Sequence, residues 1–214
     1  MILGLAVMAA FTTAAQAKTG KTILAFGDSL TAGYGLQRNE AFPVQLQARL
    51  QKAGVDVNIV NGGVSGDTTA GGLRRLPYML KKQSPDYVIL ALGANDMLRG
   101  VNPALTHQNL KGMMEILKSH KIPVLLAGMR AYSNGDPTMD KAYVAMYKSL
   151  AAEYGAVLYP FFLEGVAMRP SLNLKDGVHP TAQGVAVMVE GILPSVAKLL
   201  GVARKPAAPP TTEK

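Results

Sequence analysis

Short apolar runs alternate with longer stretches of helical spacing along most of the chain, and nothing else in it limits the fold as tightly. Thr22–Phe26, Val55–Val60, Tyr87–Leu92, Pro123–Ala127 and the brief Val157-Leu158 read as strands. Between them, Phe42, Leu46 and Leu50 recur four residues apart and predict a helix over Glu40–Leu50. Leu73, Leu76, Met79 and Leu80 mark a second helix, and Leu105–Leu117 a third. A fourth carries Met139, Tyr143, Met146, Tyr147, Leu150 and Tyr154, and Thr181–Leu200 closes the series. Strands separated by helices build βαβ units, whose strands run parallel. These strands are apolar on both sides, as a sheet covered by helices on both faces requires. In such a sheet ligands bind beyond the carboxyl ends of the strands. Chemistry is therefore expected just after Phe26, Val60, Leu92 and Ala127.

With 214 residues, the chain suits one domain that can bury its own core, so a monomer is expected. Cysteine is absent, which excludes disulfide scaffolds, thiolate nucleophiles and Cys-ligated metals. Three histidines leave little for a metal cluster, and no metal or organic cofactor is expected. The net charge of +8 reads either as plain solubility in a basic host compartment or, more sharply, as attraction to anionic partners, including transient contact with a lipid surface. The positive charges are scattered and Trp is absent, which argues against nucleic acid as a partner.

The two ends read differently from the middle. Met1–Phe11 is almost wholly apolar, and Ala15-Gln16-Ala17 places small residues where a signal peptidase cleaves. Residues 1–17 are expected to be a signal peptide, although no Lys or Arg precedes the apolar run. A periplasmic or secreted location follows. Residues 203–214 contain Pro206, Pro209 and Pro210 and are expected to be a disordered tail. The folded domain is then 18–202.

Four polar, glycine-containing segments fall where the strand ends place chemistry. They are Gly27-Asp28-Ser29-Leu30, Ser65-Gly66-Asp67, Gly93-Ala94-Asn95-Asp96 and Asp176-Gly177-Val178-His179-Pro180. A serine in a turn between strand and helix serves either as a helix cap or as a nucleophile. No Gly-x-Ser-x-Gly surrounds Ser29, so the elbow of the α/β hydrolases is absent. His179 lies three residues after Asp176, close enough for the carboxylate to accept its Nδ1 proton and leave Nε2 as a base for Ser29. The plainer alternative is a capping Asp beside a surface His. An ester attacked by serine passes through an oxyanion that needs donors aimed at it in advance. The Ser29 N–H, the Gly66 N–H and the Asn95 amide are candidates. Asp28, Asp67 and Asp96 are expected to cap or hold loops, and His107 and His120 have no expected role.

Together these blocks resemble the SGNH (GDSL) hydrolases, and in particular their bacterial arylesterase, thioesterase and lysophospholipase branch. The resemblance runs from about Thr22 to Val196 and implies a flavodoxin-like three-layer α/β/α sandwich with a five-stranded parallel sheet. It also implies Ser29, Asp176 and His179 as catalytic residues and Ser29, Gly66 and Asn95 as the oxyanion hole. Ala94 departs from the second glycine usual in close relatives. In relatives the loop corresponding to Met97–Pro103 moves on substrate binding. The expected activity is hydrolysis of short- to medium-chain acyl esters through an acyl-serine. Small-molecule esters are the expected partners, with thioesters and lysophospholipids as further candidates. Leu98, Arg99, Val101, Tyr132, Phe161, Phe162, Leu163 and Met168 are candidate substrate contacts. A carbohydrate O-deacetylase and a non-catalytic lipid or glycan carrier are the rival readings.

Overall fold

The computed structural model describes residues 20–131 and 137–202. The predicted signal peptide and tail lie outside the described residues. Five strands form one sheet: β1 (Lys21–Gly27), β2 (Val57–Gly63), β3 (Tyr87–Ala91), β4 (Val124–Ala127) and β5 (Val157–Tyr159). Their order is β2-β1-β3-β4-β5, and each neighbouring pair is parallel. Around them run α1 (Ser29–Ala32), α2 (Phe42–Lys52), α3 (Thr69–Gln83), α4 (Ala94–Leu98), α5 (Pro103–Ser119), α6 (Pro137–Tyr154) and α7 (Ala182–Leu200).

The arrangement follows from burial. Ile23, Leu24, Ala25 and Phe26 are consecutive and fully buried, so both faces of β1 need a cover. α2 and α7 pack together as one covering layer, while α3, α5 and α6 pack side by side as the other. The apolar faces of α7 (Val185, Met188, Val189, Ile192, Val196) point into this core. The fold is thus the expected three-layer α/β/α sandwich. Side-chain oxygens cap the helix starts that border the site: Asp28 for α1, Thr68 for α3, Asn102 for α5 and Thr181 for α7.

Two stretches beyond the expected strand ends are regular. Asn61-Gly62-Gly63 belongs to β2, paired with Ala25, Phe26 and Gly27. A Cβ on Gly63 would lie 2.3 Å from the Ala32 amide nitrogen, so glycine lets α1 pack against the strand end. Ala94–Leu98 forms the short helix α4, entered through Gly93 at φ 123°, a conformation suited to glycine. The chain runs outward from β1 to β2 and then crosses to β3 on the other side. That reversal opens a crevice between the carboxyl ends of β1 and β3.

Candidate active site

Ser29 and Asn95 flank this crevice, one following β1 and the other following β3. Ser29 is the first residue of α1. The residue before it, Asp28, is almost fully buried and accepts the Leu30 N–H at 3.0 Å, which fixes the turn. His179 approaches from the other end of the sequence, just ahead of α7. Its Nε2 lies 2.9 Å from Ser29 Oγ, and its Nδ1 lies 2.7 Å from Asp176 Oδ2. The network is satisfied when Nδ1–H donates to Asp176 and the Ser29 hydroxyl donates to Nε2.

Asp176 also accepts the backbone N–H groups of Val178 and His179, each at 2.9 Å. These bonds, with the imidazole contact, hold its carboxyl down at about 2 against an ordinary 3.8. The carboxylate is therefore charged across the neutral range. Asp28 is shifted the other way. Burial pushes its carboxyl up to about 6, a rise that the Leu30 bond and the nearby imidazole only partly offset.

Asn95 Nδ2 donates to the Asp67 carbonyl at 2.9 Å and faces Asp28 Oδ2 at 3.3 Å. The first bond is short and fixes the amide, while the longer one leaves the second N–H weakly held. Asp96 anchors α4 by accepting the Thr69 N–H at 2.8 Å and the Thr69 hydroxyl. Asn109 in turn donates to Thr69 Oγ1. Gly66, at φ 78°, sits in the exposed turn before α3, and its carbonyl accepts Arg99 Nη2 at 2.9 Å. Among the described residues, no group of three or more His, Cys, Asp or Glu is placed to hold a metal.

A cleft of about 150 Å³ opens beside Ser29 and His179. Four of the candidate contacts, Leu98, Phe161, Leu163 and Met168, line it. Three of the other candidates do not. Phe162 is fully buried and meets the Phe42 ring edge-on at 4.9 Å, so it is a core residue. Val101 is half-buried away from the cleft wall, and Arg99 reaches the Gly66 carbonyl instead. Tyr132 lies outside the described residues. Leu30, Met97, Met129, Arg130, Ala167, Asn173 and Val178 also line the cleft and were not anticipated. Nor was Tyr34, whose ring centroid lies 4.5 Å from that of His179. Tyr34 follows Ser29 by one helical turn plus a cap, and that proximity was the one available signal.

A serine hydroxyl bonded to an imidazole, itself bonded to a carboxylate at the crevice of a parallel sheet, defines a serine hydrolase on a flavodoxin-like frame. Residues 25–187 match the GDSL-like Lipase/Acylhydrolase family, and the chain belongs to it. Esterase TesA of Pseudomonas aeruginosa is 38% identical over 185 residues, covering 86% of this chain and 92% of that protein. An arylesterase of Vibrio mimicus is 34% identical over 200 residues, covering 94% of this chain and all of its own length (100%). The crystal structure of AlinE4, an SGNH-hydrolase family esterase, is 49% identical with a TM-score of 0.71, covering 85% of this chain and 97% of that one. The protein is a carboxylic ester hydrolase of the serine type.

Proposed function

We propose that Ser29 is the nucleophile, with His179 its base and Asp176 the group that orients the base. The observation that carries this is the unbroken chain of contacts: Ser29 Oγ to His179 Nε2 at 2.9 Å, and His179 Nδ1 to Asp176 Oδ2 at 2.7 Å. His179 takes the Ser29 proton as the oxygen attacks the ester carbonyl, and the charged Asp176 stabilises the imidazolium that results. The Ser29 N–H, the Gly66 N–H and the Asn95 amide meet the developing oxyanion. The imidazolium protonates the departing alcohol, phenol or thiol. His179 then deprotonates a water, which attacks the acyl-serine and releases the acid.

The substrate class is a short- to medium-chain acyl ester with an alkyl or aryl leaving group, and thioesters and lysophospholipids extend it. The cleft walls favour an acyl chain over a sugar. Leu98, Met129, Phe161, Leu163 and Met168 line it with carbon and sulfur, where a carbohydrate deacetylase would need a polar rim. The domain acts as a monomer whose basic surface can approach an anionic lipid layer transiently. Residues 1–17 direct it out of the cytoplasm.

Release of nitrophenol from nitrophenyl acetate tests the assignment. Ser29→Ala should fold normally by circular dichroism and lose activity by about a thousandfold or more. Wild-type rates in the folded variant would overturn the role of Ser29. The same preparation, exported from full-length chain, should begin at Lys18.

A further inference from the structure

Arg75 projects from the second turn of α3 and touches three of the segments that build the site. Its Nε donates to Asp67 Oδ2 at 2.6 Å, its Nη1 to the Gly62 carbonyl at 2.8 Å, and its Nη2 to the Gly27 carbonyl at 2.8 Å. The guanidinium carbon lies 3.8 Å from the centroid of the Phe26 ring, so the fork lies against the last aromatic side chain of β1. Four-fifths of the side chain is shielded from solvent. The guanidinium donates from three nitrogens in fixed, divergent directions, which lets one side chain hold three acceptors set apart from one another.

Each acceptor leads to a part of the site. The Gly27 carbonyl precedes Asp28 and Ser29, so holding it fixes where the nucleophile turn leaves β1. The Gly62 carbonyl belongs to β2, which leads into the Gly66 turn. Asp67 follows Gly66 directly, and its carbonyl accepts Asn95 Nδ2 at 2.9 Å. A Cβ at position 71 would lie only 1.9 Å from Asp67 Oδ1, so Gly71 leaves that carboxylate the room it occupies.

Resting on the proposed roles of Ser29, Gly66 and Asn95, we infer that Arg75 is the positioning residue that holds the oxyanion donors of three separate strand ends in one register. It touches neither substrate nor reacting atoms and acts through Asp67, Gly27 and Gly62. Oxyanion donors gain their effect from being fixed before the charge forms. Loosening their common tether therefore lowers the chemical step and leaves ground-state binding alone.

The test compares Arg75→Met, Arg75→Lys and Asp67→Asn with wild type on nitrophenyl acetate and nitrophenyl butyrate, with thermal melts alongside. In Arg75→Met and Asp67→Asn, kcat should fall roughly tenfold to a hundredfold, with KM within about twofold. Arg75→Lys restores the charge without the fork and should recover only a minor part of the loss. In an Asn95→Ala background the Arg75→Met effect should shrink, because one of the three donors it holds is gone. A folded Arg75→Met with wild-type kcat, a loss confined to KM, or an equal loss in the Asn95→Ala background would each overturn the inference. If Arg75→Met does not fold, Asp67→Asn decides, since it removes the charge and one acceptor oxygen from the Arg75 pair while keeping the side chain's shape. Full activity in Ser29→Ala would instead sink the nucleophile assignment, and the two failures remain distinguishable.

Discussion

At the scale of single residues, the two aspartates beside Ser29 and His179 respond oppositely to pH. Asp28 is buried and its carboxyl rises to about 6, so the folded state holds its proton more tightly than the unfolded chain does. Its stabilising contribution is complete below about pH 4 and is lost as the pH rises through about 6. Asp28→Asn keeps an oxygen for the Leu30 N–H but cannot ionise. Urea denaturation should show a stability that no longer drops over that window, a difference from wild type of roughly 3 kcal/mol at pH 7. An unchanged pH profile would contradict the burial cost assigned to Asp28. Asp176 has the reverse sign, because its carboxyl is held at about 2. Its contribution is present above about pH 4 and lost only as the pH falls through about 2. Ser29, Asp176, His179 and Asn95 were legible in the sequence because each sits in a polar, glycine-containing block at an expected strand end or helix start. Arg75 was not, since a basic residue on an amphipathic helix carries no mark of where its fork will reach. Phe162 was misplaced for a related reason. Neighbouring Phe161 and Phe162 look alike in sequence, and only the turn after β5 sends one to the cleft and the other against Phe42.

At the scale of elements, alternating periodicity was enough to set the strand and helix order. The ends of elements were harder to place. β2 runs through Asn61, Gly62 and Gly63, residues with weak strand preference, because pairing with Ala25–Gly27 and the need for a thin strand end outweigh local propensity. The contact between this strand end and α1 matters for Ser29, the proposed nucleophile. Gly63→Ala would bring a methyl group within 2.7 Å of the Ala32 Cα and push on the helix that begins with Ser29. Stability should fall by about 1–3 kcal/mol. The turnover number should also drop more than tenfold, because displacement of a nucleophile by a fraction of an ångström costs heavily. Thermal melting together with kcat checks both. A variant that melts earlier but turns over normally would show that α1 adjusts without moving Ser29.

At the scale of the whole molecule, the cleft is assembled from segments scattered along the chain, yet it lies on one rim of one sheet. Its inner wall is formed by buried Met97, Met129 and Phe161, and its mouth by exposed Leu98, Met168 and Val178. An acyl chain should gain from the wall first and from the mouth later. Across nitrophenyl esters of increasing length, kcat/KM should climb by at most about fourfold per methylene and then level off. Leu98→Ala and Met168→Ala should lower the long-chain values and leave acetate unchanged. A panel that is flat from the shortest ester onward would show that the cleft does not hold the acyl group. Ser29 and His179 stand 150 positions apart, one behind β1 and the other ahead of α7. In the proposed roles, the Ser29 oxygen thus emerges early in synthesis and meets its imidazole only once His179 has been made. On the proposed roles, a chain clipped before His179 should release no nitrophenol from nitrophenyl acetate, so completion of the domain is itself the safety catch on that chemistry.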